Sequence, residues 1–544
     1  ANNNTAVGAD SLRCNTTGCQ NIAVGSCALD ANVTGNFNVA IGHDTLTSNT
    51  ASENTGVGFN ALKCNVSGSA NTALGKSTLL KNTAANNTAV GHNALTCNTS
   101  GTCNVAVGFC ALKTQTAANQ NTAIGTLSMA ATTSGIRNVA VGRQSMCANT
   151  TGCCNVAMGS NALASGTTGD FNVAVGGAAL GSVNTGNCNT AVGACAMNTN
   201  TSGANNVAVG KDSLKANTTG TQIVAIGTLA LDANTSGNEL TAMGYNSLGA
   251  NTTGCYNVAV GDNALAANTT GNDNTTIGMR SLLNNTTGTN NTSVGRNALR
   301  ENTTAANNTA VGLSSLACNT TGTLNTMVGS CSGFAMTTGQ QNSGIGINTF
   351  QANTTGSRNS TVGASSLATN ISGSDNTAFG HAALGANTTA SNNTAVGRAS
   401  MQTNTTGTSN VAVGFKSLLT NTTGGNNVSL GLCSLFSNTT ASDNTAIGGV
   451  ALLSNTTGSD NTSVGSGSLL TNSTGASNVA VGKDALKRNT TAAENTAIGK
   501  SALCANTTGA ANTAVGLNAL LDATTSASNT AVGVEALQNV TTGT

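Results

Sequence analysis

The chain of 544 residues contains no proline and no tryptophan, and only 7% of its residues are charged and 2% aromatic. A globular enzyme of this size normally carries about a quarter charged residues, so the composition argues against an ordinary multidomain enzyme. The formal net charge of +1 gives no electrostatic reason to expect binding to nucleic acid or to an anionic membrane surface. No apolar run approaches the length of a membrane span, so we expect no membrane insertion, and Ala1 does not begin a signal peptide.

What the chain has instead is a repeat. The blocks that begin at Asn87 and Asn104 read NTAVGHNAL and NVAVGFCAL, and blocks of this kind recur every 17 residues, with two intervals of 16. Thirty-two blocks run from Asn4 to Asn529, and residues 1–544 therefore form one continuous array with no separate domain or cap. The 38% of hydrophobic residues recur at fixed positions, which argues against disorder.

The consensus N-(T/V)-A-V-G-x-x-(A/S)-L-x-x-N-T-T-G-x-x predicts an all-β fold. Positions two to four have the alternation of a short strand, the glycine at position five allows a sharp corner, and Asn-Thr-Thr-Gly is typical of a loop. One block is too short for two helices but suits one coil of a parallel β-solenoid. We expect positions two and four, with the leucine at position nine, to form the core, as in Val7, Val24, Val107, Val141 and Leu95.

The small residue at position three would then face outward. This predicts close approach by a neighbouring chain and self-association, as three solenoids side by side; the alternative is that alanine merely suits a tight coil. Because both ends of the sequence lie within the repeat, their open strand edges predict either that the chain continues beyond them or that units stack end to end into a filament.

The blocks NVAVGKDALKRN at 478–489 and NTAIGKSALCAN at 495–506 resemble the head repeats of YadA-type trimeric autotransporter adhesins. Similar NTAVG runs occur in the shafts of phage tail-fibre-like proteins. The resemblance implies a left-handed parallel β-roll, three chains to a head, displayed at a bacterial surface. It also implies that the valine or isoleucine of each block points into the roll.

The 17 cysteines occupy few repeat positions. Pairs that flank a corner or a strand predict short disulfide staples and an oxidising, extracellular setting, and the alternative is a scatter of small buried thiols. No CxxC pair recurs and the three histidines lie far apart in the sequence, so we expect no metal site. The candidate disulfide cysteines are Cys14, Cys19, Cys97, Cys103, Cys110, Cys147, Cys153, Cys188 and Cys195.

Most blocks also carry Asn-x-Thr/Ser from position twelve. Each is a formal N-glycosylation acceptor on a predicted loop, but asparagines stacked from coil to coil could instead form a hydrogen-bonded amide ladder, and we expect a second ladder at position one. The candidate glycosylation sites are Asn15, Asn149, Asn217, Asn251, Asn285, Asn302, Asn404, Asn455 and Asn506.

No catalytic constellation stands out from the repeat, and we expect neither enzymatic activity nor a cofactor. The sequence predicts an extracellular or cell-surface structural fibre or adhesin shaft, whose partners are copies of itself and possible surface glycans or receptors. One alternative is the shaft of a viral or phage receptor-binding tail fibre. A second alternative is ice binding, which we disfavour because we expect the threonine at position two to point inward.

Overall fold

The computed structural model describes residues 2–183 and 185–542, and over this part of the chain every regular element is a strand of three residues. The chain divides into two compact units, residues 1–272 and residues 273–544. The first unit contains β1 (Thr5–Val7), β2 (Ile22–Val24), β3 (Val39–Ile41), β4 (Thr55–Val57), β5 (Thr72–Leu74), β6 (Thr88–Val90), β7 (Val105–Val107), β8 (Thr122–Ile124), β9 (Val139–Val141), β10 (Val156–Met158), β11 (Val173–Val175), β12 (Thr190–Val192), β13 (Val207–Val209), β14 (Val224–Ile226), β15 (Thr241–Met243) and β16 (Val258–Val260).

The second unit contains β17 (Thr275–Ile277), β18 (Thr292–Val294), β19 (Thr309–Val311), β20 (Thr326–Val328), β21 (Ser343–Ile345), β22 (Ser360–Val362), β23 (Thr377–Phe379), β24 (Thr394–Val396), β25 (Val411–Val413), β26 (Val428–Leu430), β27 (Thr445–Ile447), β28 (Thr462–Val464), β29 (Val479–Val481), β30 (Thr496–Ile498), β31 (Thr513–Val515) and β32 (Thr530–Val532).

Within each unit every strand pairs in parallel with its equivalent in the next coil, in register. Thr88 in β6 lies opposite Val105 in β7, for example, 17 residues later. The register also survives a coil of 16 residues, where Val39 lies opposite Thr55, because the missing residue comes from the Asn-Thr-Thr-Gly corner rather than from the strand. The predicted parallel β-solenoid is therefore confirmed.

Hydrogen bonds between coils continue beyond the strands. The Gly108 amide donates to the Val90 carbonyl at 2.8 Å, and the Leu95 amide donates to the Ala111 carbonyl at 2.9 Å. Positions five to eleven form a run of turns, and the leucine at position nine takes a positive φ, 51° at Leu95. Gly108 has a φ of 137°, and an added Cβ would lie 2.5 Å from the Gly125 carbonyl oxygen in the next coil. The coil closes tightly because glycine occupies this corner.

The predicted orientation of the strands is wrong. The central alanine of the strand is the buried residue, as at Ala106, whereas Val7 is 57% exposed and Val24, Val107 and Val141 are half-buried on the outside. Only the leucine prediction holds, since Leu95 is fully buried. The interior of a coil is already occupied by the leucine at position nine and by asparagines at positions one and twelve, which leaves room for alanine on the strand but not for two valines.

This corrects the argument for self-association as well. The residue at position three is small because it lies inside the coil, so the alternative interpretation, that alanine suits a tight coil, is the one that the structure supports. The outward residues are instead Thr/Val at position two and Val/Ile at position four.

Two neighbouring coils show how closely the interior volume is fixed. Met327 replaces the usual alanine at position three, and Gly333 replaces the usual leucine at position nine of the same coil. In the next coil Gly344 faces Phe350, and a Cβ at Gly344 would lie 2.6 Å from the Met327 Sδ and 3.0 Å from the Phe350 ring. Met327 and Phe350 are both fully buried. Each large replacement is matched by a glycine, so the core keeps a constant volume per coil.

Candidate functional site

The asparagine that opens nearly every block forms an internal ladder along the coils. The Asn104 backbone amide donates to the Asn87 Oδ1 at 3.0 Å, and the Asn104 Nδ2 donates to the same oxygen at 3.1 Å. The Nδ2 also donates to the Ala118 carbonyl at 3.0 Å. Asn87 and Asn104 are fully buried. Ile223 and Leu240, also buried, replace this asparagine in two coils, so the ladder tolerates an apolar rung.

The asparagine at position twelve forms a second ladder on the other side of the corner. In its longest run, from Asn353 to Asn506, the Nδ2 of each asparagine donates to the Oδ1 of the one before it at distances from 2.7 to 3.2 Å. The two ladders meet at position fifteen, where the Gly101 carbonyl accepts from the Nδ2 of Asn87 and of Asn98, each at 2.9 Å. The predicted amide ladders are therefore confirmed.

The glycosylation candidates occupy this second ladder, and their burial argues against glycan attachment in the folded chain. All but Asn15, which is half-buried, are 0–2% exposed. A glycan would have to replace an Nδ2 hydrogen inside the coil, where the Asn217 Nδ2, for example, already donates to the Gly220 carbonyl and to the Asn200 Oδ1. The residues concerned are Asn15, Asn149, Asn217, Asn251, Asn285, Asn302, Asn404, Asn455 and Asn506.

At three of the interruptions in the second ladder, a buried acceptor is left without a donor. Gln115, Met336 and Ala523 occupy position twelve in three coils. The buried Oδ1 atoms of Asn98, Asn319 and Asn506, one coil earlier in each case, have no hydrogen-bond partner. A buried unpaired acceptor costs about 1–3 kcal/mol, so these interruptions are weak points of the ladder.

The outer face of the strands carries methyl groups and hydroxyls in parallel rows. Position four is apolar in almost every coil and well exposed in many, with Ile345 at 48% and Val362 at 44%. Position two alternates between valine and threonine in the first unit, but β17 to β24 carry eight consecutive hydroxyl residues there. The expectation that the threonine of position two points inward is therefore wrong. The repeat did contain a signal for this orientation, because position four accepts side chains from valine to Phe379, whereas position three is nearly always small.

Aromatic side chains stack along position six of the first unit, a feature that the sequence analysis missed. The rings of His43 and Phe59 lie 5.6 Å apart and those of His92 and Phe109 5.5 Å apart, both stacked, and the Lys76 Nζ lies 5.9 Å from the Phe59 ring centre. The signal was available, since these residues share one position in successive coils.

Charged groups form small clusters of two or three residues on the surface. The Arg358 guanidinium donates to both carboxylate oxygens of Asp375 at 2.7 and 2.8 Å, and this hydrogen bonding lowers the pKa of the Asp375 carboxyl. The Lys63 Nζ lies 2.8 Å from the Asp44 Oδ2. Such exposed pairs contribute little to stability.

The predicted disulfides are absent, and all seventeen cysteines are free thiols. In the predicted pair of Cys147 and Cys153, the first thiol donates to the Ala164 carbonyl at 3.4 Å and the second to the Thr151 carbonyl at 3.2 Å. The two thiols thus bond to different stretches of backbone, and burial raises the pKa of the Cys147 thiol. The same correction applies to Cys14, Cys19, Cys97, Cys103, Cys110, Cys188 and Cys195.

The described residues bring together no cluster of three or more metal-binding side chains. The surface has shallow grooves, one of about 270 Å³ beside Lys487, Cys504 and Asp522, and one of about 310 Å³ between Thr369 and Gln402. Along residues 2–183 and 185–542, no helix has the length and apolar character needed to cross a membrane. A comparison with models of known protein families and a search among curated proteins both found no match to this chain.

Proposed function

We propose that the chain is a non-enzymatic structural protein, a fibre or adhesin shaft that works outside the cell or at its surface. The observation that carries this proposal is the unbroken in-register pairing of equivalent strands within each unit, together with the two buried asparagine ladders beneath them. A fibre needs resistance to bending and slippage along its length, and both features oppose slippage.

The ladders give this resistance a physical basis. A shift of one residue between coils would move the strand alanine outward and a valine inward. It would also break two hydrogen bonds of Asn421. Its Nδ2 donates to the Asn404 Oδ1 and its Oδ1 accepts from the Asn438 Nδ2, each at 2.8 Å. Buried amides that lose their partners cost free energy. Each coil is therefore locked to its neighbours by polar contacts as well as by the backbone.

The partner in this proposal is another copy of the chain. Exposed apolar rows of this length mark interaction surfaces in soluble proteins, and position four supplies such a row along the first unit. Ile41 and Leu74 are 42% and 48% exposed. Full burial of such a side chain is worth about 1.5–3 kcal/mol at about 25 cal/mol per Å², so each leaves about 25–50 Å² of apolar surface exposed. The sixteen coils of this unit carry two outward residues each, many of them less exposed than these, and would offer at most about 800–1,600 Å², the range of a standard interface. The extracellular location rests on the resemblance of the repeat to adhesin heads.

Three measurements on the purified full chain test the proposal. Fibre diffraction of aligned material should give a meridional reflection near 4.8 Å, and sedimentation should give a mass that is a multiple of 52.9 kDa. Antibody labelling of intact source cells, or of virus particles, separates the adhesin shaft from the tail-fibre alternative. A monomeric protein that is labelled only after cells are permeabilised would overturn the proposal.

A further inference from the structure

The outer face of β17 to β24 differs from the rest of the strand surface because it pairs a hydroxyl row with an apolar row. We call this surface the hydroxyl face. All its hydroxyl residues are half-exposed or exposed. The hydroxyl row consists of Thr275, Thr292, Thr309, Thr326, Ser343, Ser360, Thr377 and Thr394, and the apolar row of Ile277, Val294, Val311, Val328, Ile345, Val362, Phe379 and Val396.

The spacing of the hydroxyl row matches the spacing of water in ice. Equivalent residues in paired strands lie about 4.7–4.9 Å apart. Hydrogen-bonded oxygens lie about 2.75 Å apart, and a tetrahedral arrangement places every second oxygen about 4.5 Å away. Neighbouring hydroxyls along the solenoid can therefore follow neighbouring oxygens of one lattice row with a mismatch of about 0.2–0.4 Å per coil. The mismatch reaches about 1 Å only after about three to five coils, so a run of about four hydroxyls stays in step with the lattice.

The hydroxyls are also held in place before any ligand arrives. Threonine, valine and isoleucine are branched at Cβ and stiff at χ1, so few rotamers are lost when they order a layer of water. Their backbone is held in place by the asparagine ladder at position one, inside the coil, in which the Asn325 backbone amide donates to the Asn308 Oδ1 at 3.0 Å. The hydroxyl face therefore has its regular spacing before binding, which reduces the entropy lost when a partner binds.

The absence of charge on the hydroxyl face indicates which kind of partner it fits. Neither row of the hydroxyl face contains a charged residue, whereas Arg296, Arg358 and Asp375 lie only in the flanking rows, at positions six and seventeen. A neutral surface of evenly spaced donors, acceptors and methyl groups fits a neutral hydrogen-bonded lattice better than a charged polymer or membrane. We propose that the hydroxyl face binds ice.

The experiment compares matched variants of the full-length protein. Thr309→Tyr and Thr326→Tyr place a bulky ring on the hydroxyl face, and Thr321→Tyr and Thr338→Tyr place the same ring at the exposed corner of the same two coils. Circular dichroism establishes that all variants retain the β-solenoid. The measurement is thermal hysteresis, the gap between the melting and growth temperatures of a single ice crystal, together with inhibition of ice recrystallisation.

We expect the unchanged protein and the corner variants to show hysteresis, and the face double variant to lose it. An unchanged protein without hysteresis would overturn the proposal, and so would equal activity in the face and corner variants. Sedimentation of the same samples tests the competing occupant. If the face variants alone dissociate an oligomer, a second copy of the chain covers this surface and the ice proposal falls.

Discussion

The paired replacements at Met327 and Gly333 predict a strong energetic coupling. We expect Met327→Ala and Gly333→Leu each to destabilise the second unit, and the double variant, which restores the consensus residues, to be close to the unchanged protein. Met327 is fully buried, and a Cβ at Gly333 would lie 3.2 Å from the Met327 Cγ. The methionine thus fills the space that a leucine occupies in other coils.

The magnitudes follow from packing. Removing a buried methionine side chain costs about 2–5 kcal/mol, and adding a leucine to a filled interior costs about 1–3 kcal/mol. Backbone strain adds nothing further at Gly333, since its φ of 62° is close to the 50° of Leu316 in the preceding coil. The two single costs sum to about 3–8 kcal/mol. If the double variant is as stable as the unchanged protein, the coupling has this magnitude, at or above the top of the usual range for residues in contact.

A stack of coils need not unfold in one step, so the assay must be local. Hydrogen exchange of peptides that cover residues 320–350 reports the free energy of local opening, and each 1.4 kcal/mol corresponds to a tenfold change in exchange rate. The reciprocal pair Ala310→Met and Leu316→Gly, placed in the consensus coil before it, is the matched control. If the double variant at 327 and 333 is as unstable as the sum of its single variants, the constant-volume interpretation of the core is wrong.

Three further predictions test the orientation of the strand, the ladder and the thiols. Ala106→Val should destabilise the protein by about 1–3 kcal/mol because the alanine is fully buried, whereas Val107→Ala should cost under about 1 kcal/mol; chemical denaturation compares them, and the reverse order would restore the orientation predicted from the sequence. Ala523→Asn should raise the free energy of local opening by about 1 kcal/mol, since it supplies a donor to an unpaired buried Oδ1, and hydrogen exchange would detect no gain if that acceptor is satisfied by water. Iodoacetamide should modify the exposed Cys103 well before Cys110, which is 4% exposed, and mass spectrometry that finds either thiol already oxidised would contradict the free-thiol assignment.

The repeat predicted the architecture because parallel pairing depends on period alone. A nearly constant 17-residue interval with a glycine at position five predicts coils stacked in register, whichever side of the strand is buried, because the two 16-residue intervals shorten the corner and not the strand. The direction of the side chains is a separate question, since a two-residue alternation fits both choices. Ala106 and Val107 were assigned to the wrong sides because hydrophobicity was used as the criterion, whereas the width of the coil decides. The tolerance of position four for Phe379 was the better guide.

The candidate sites also differ in whether the repeat period alone determines them. Stacking of equivalent asparagines follows from the period, so the ladders through Asn104 and Asn421 were predictable, but the side of the coil on which they lie was not. Burial then argues against glycosylation at position twelve, although the sequence motif is intact. The cysteine pairs failed for a related reason: Cys147 and Cys153 are close in sequence, but each thiol bonds to a nearby carbonyl, a detail that spacing does not contain.

The burial of the amides explains why β-branched residues lie on the outer face of the strands. An amide side chain stacked on its own copy can use its donors and its acceptor within the column, as Asn421 does with Asn404, Asn438 and the Gly424 carbonyl, so burying it costs little. The core is thereby filled by asparagine, alanine and leucine, and the β-branched residues that favour strands are left on the outer face. That face then presents methyl and hydroxyl groups at the period of the backbone, which water or another solenoid of the same period can match. The buried asparagine ladders thus account both for the rigidity of the core and for the regular spacing of the outer face. A substitution that disrupts the ladder beneath the hydroxyl face should therefore also weaken binding at that face.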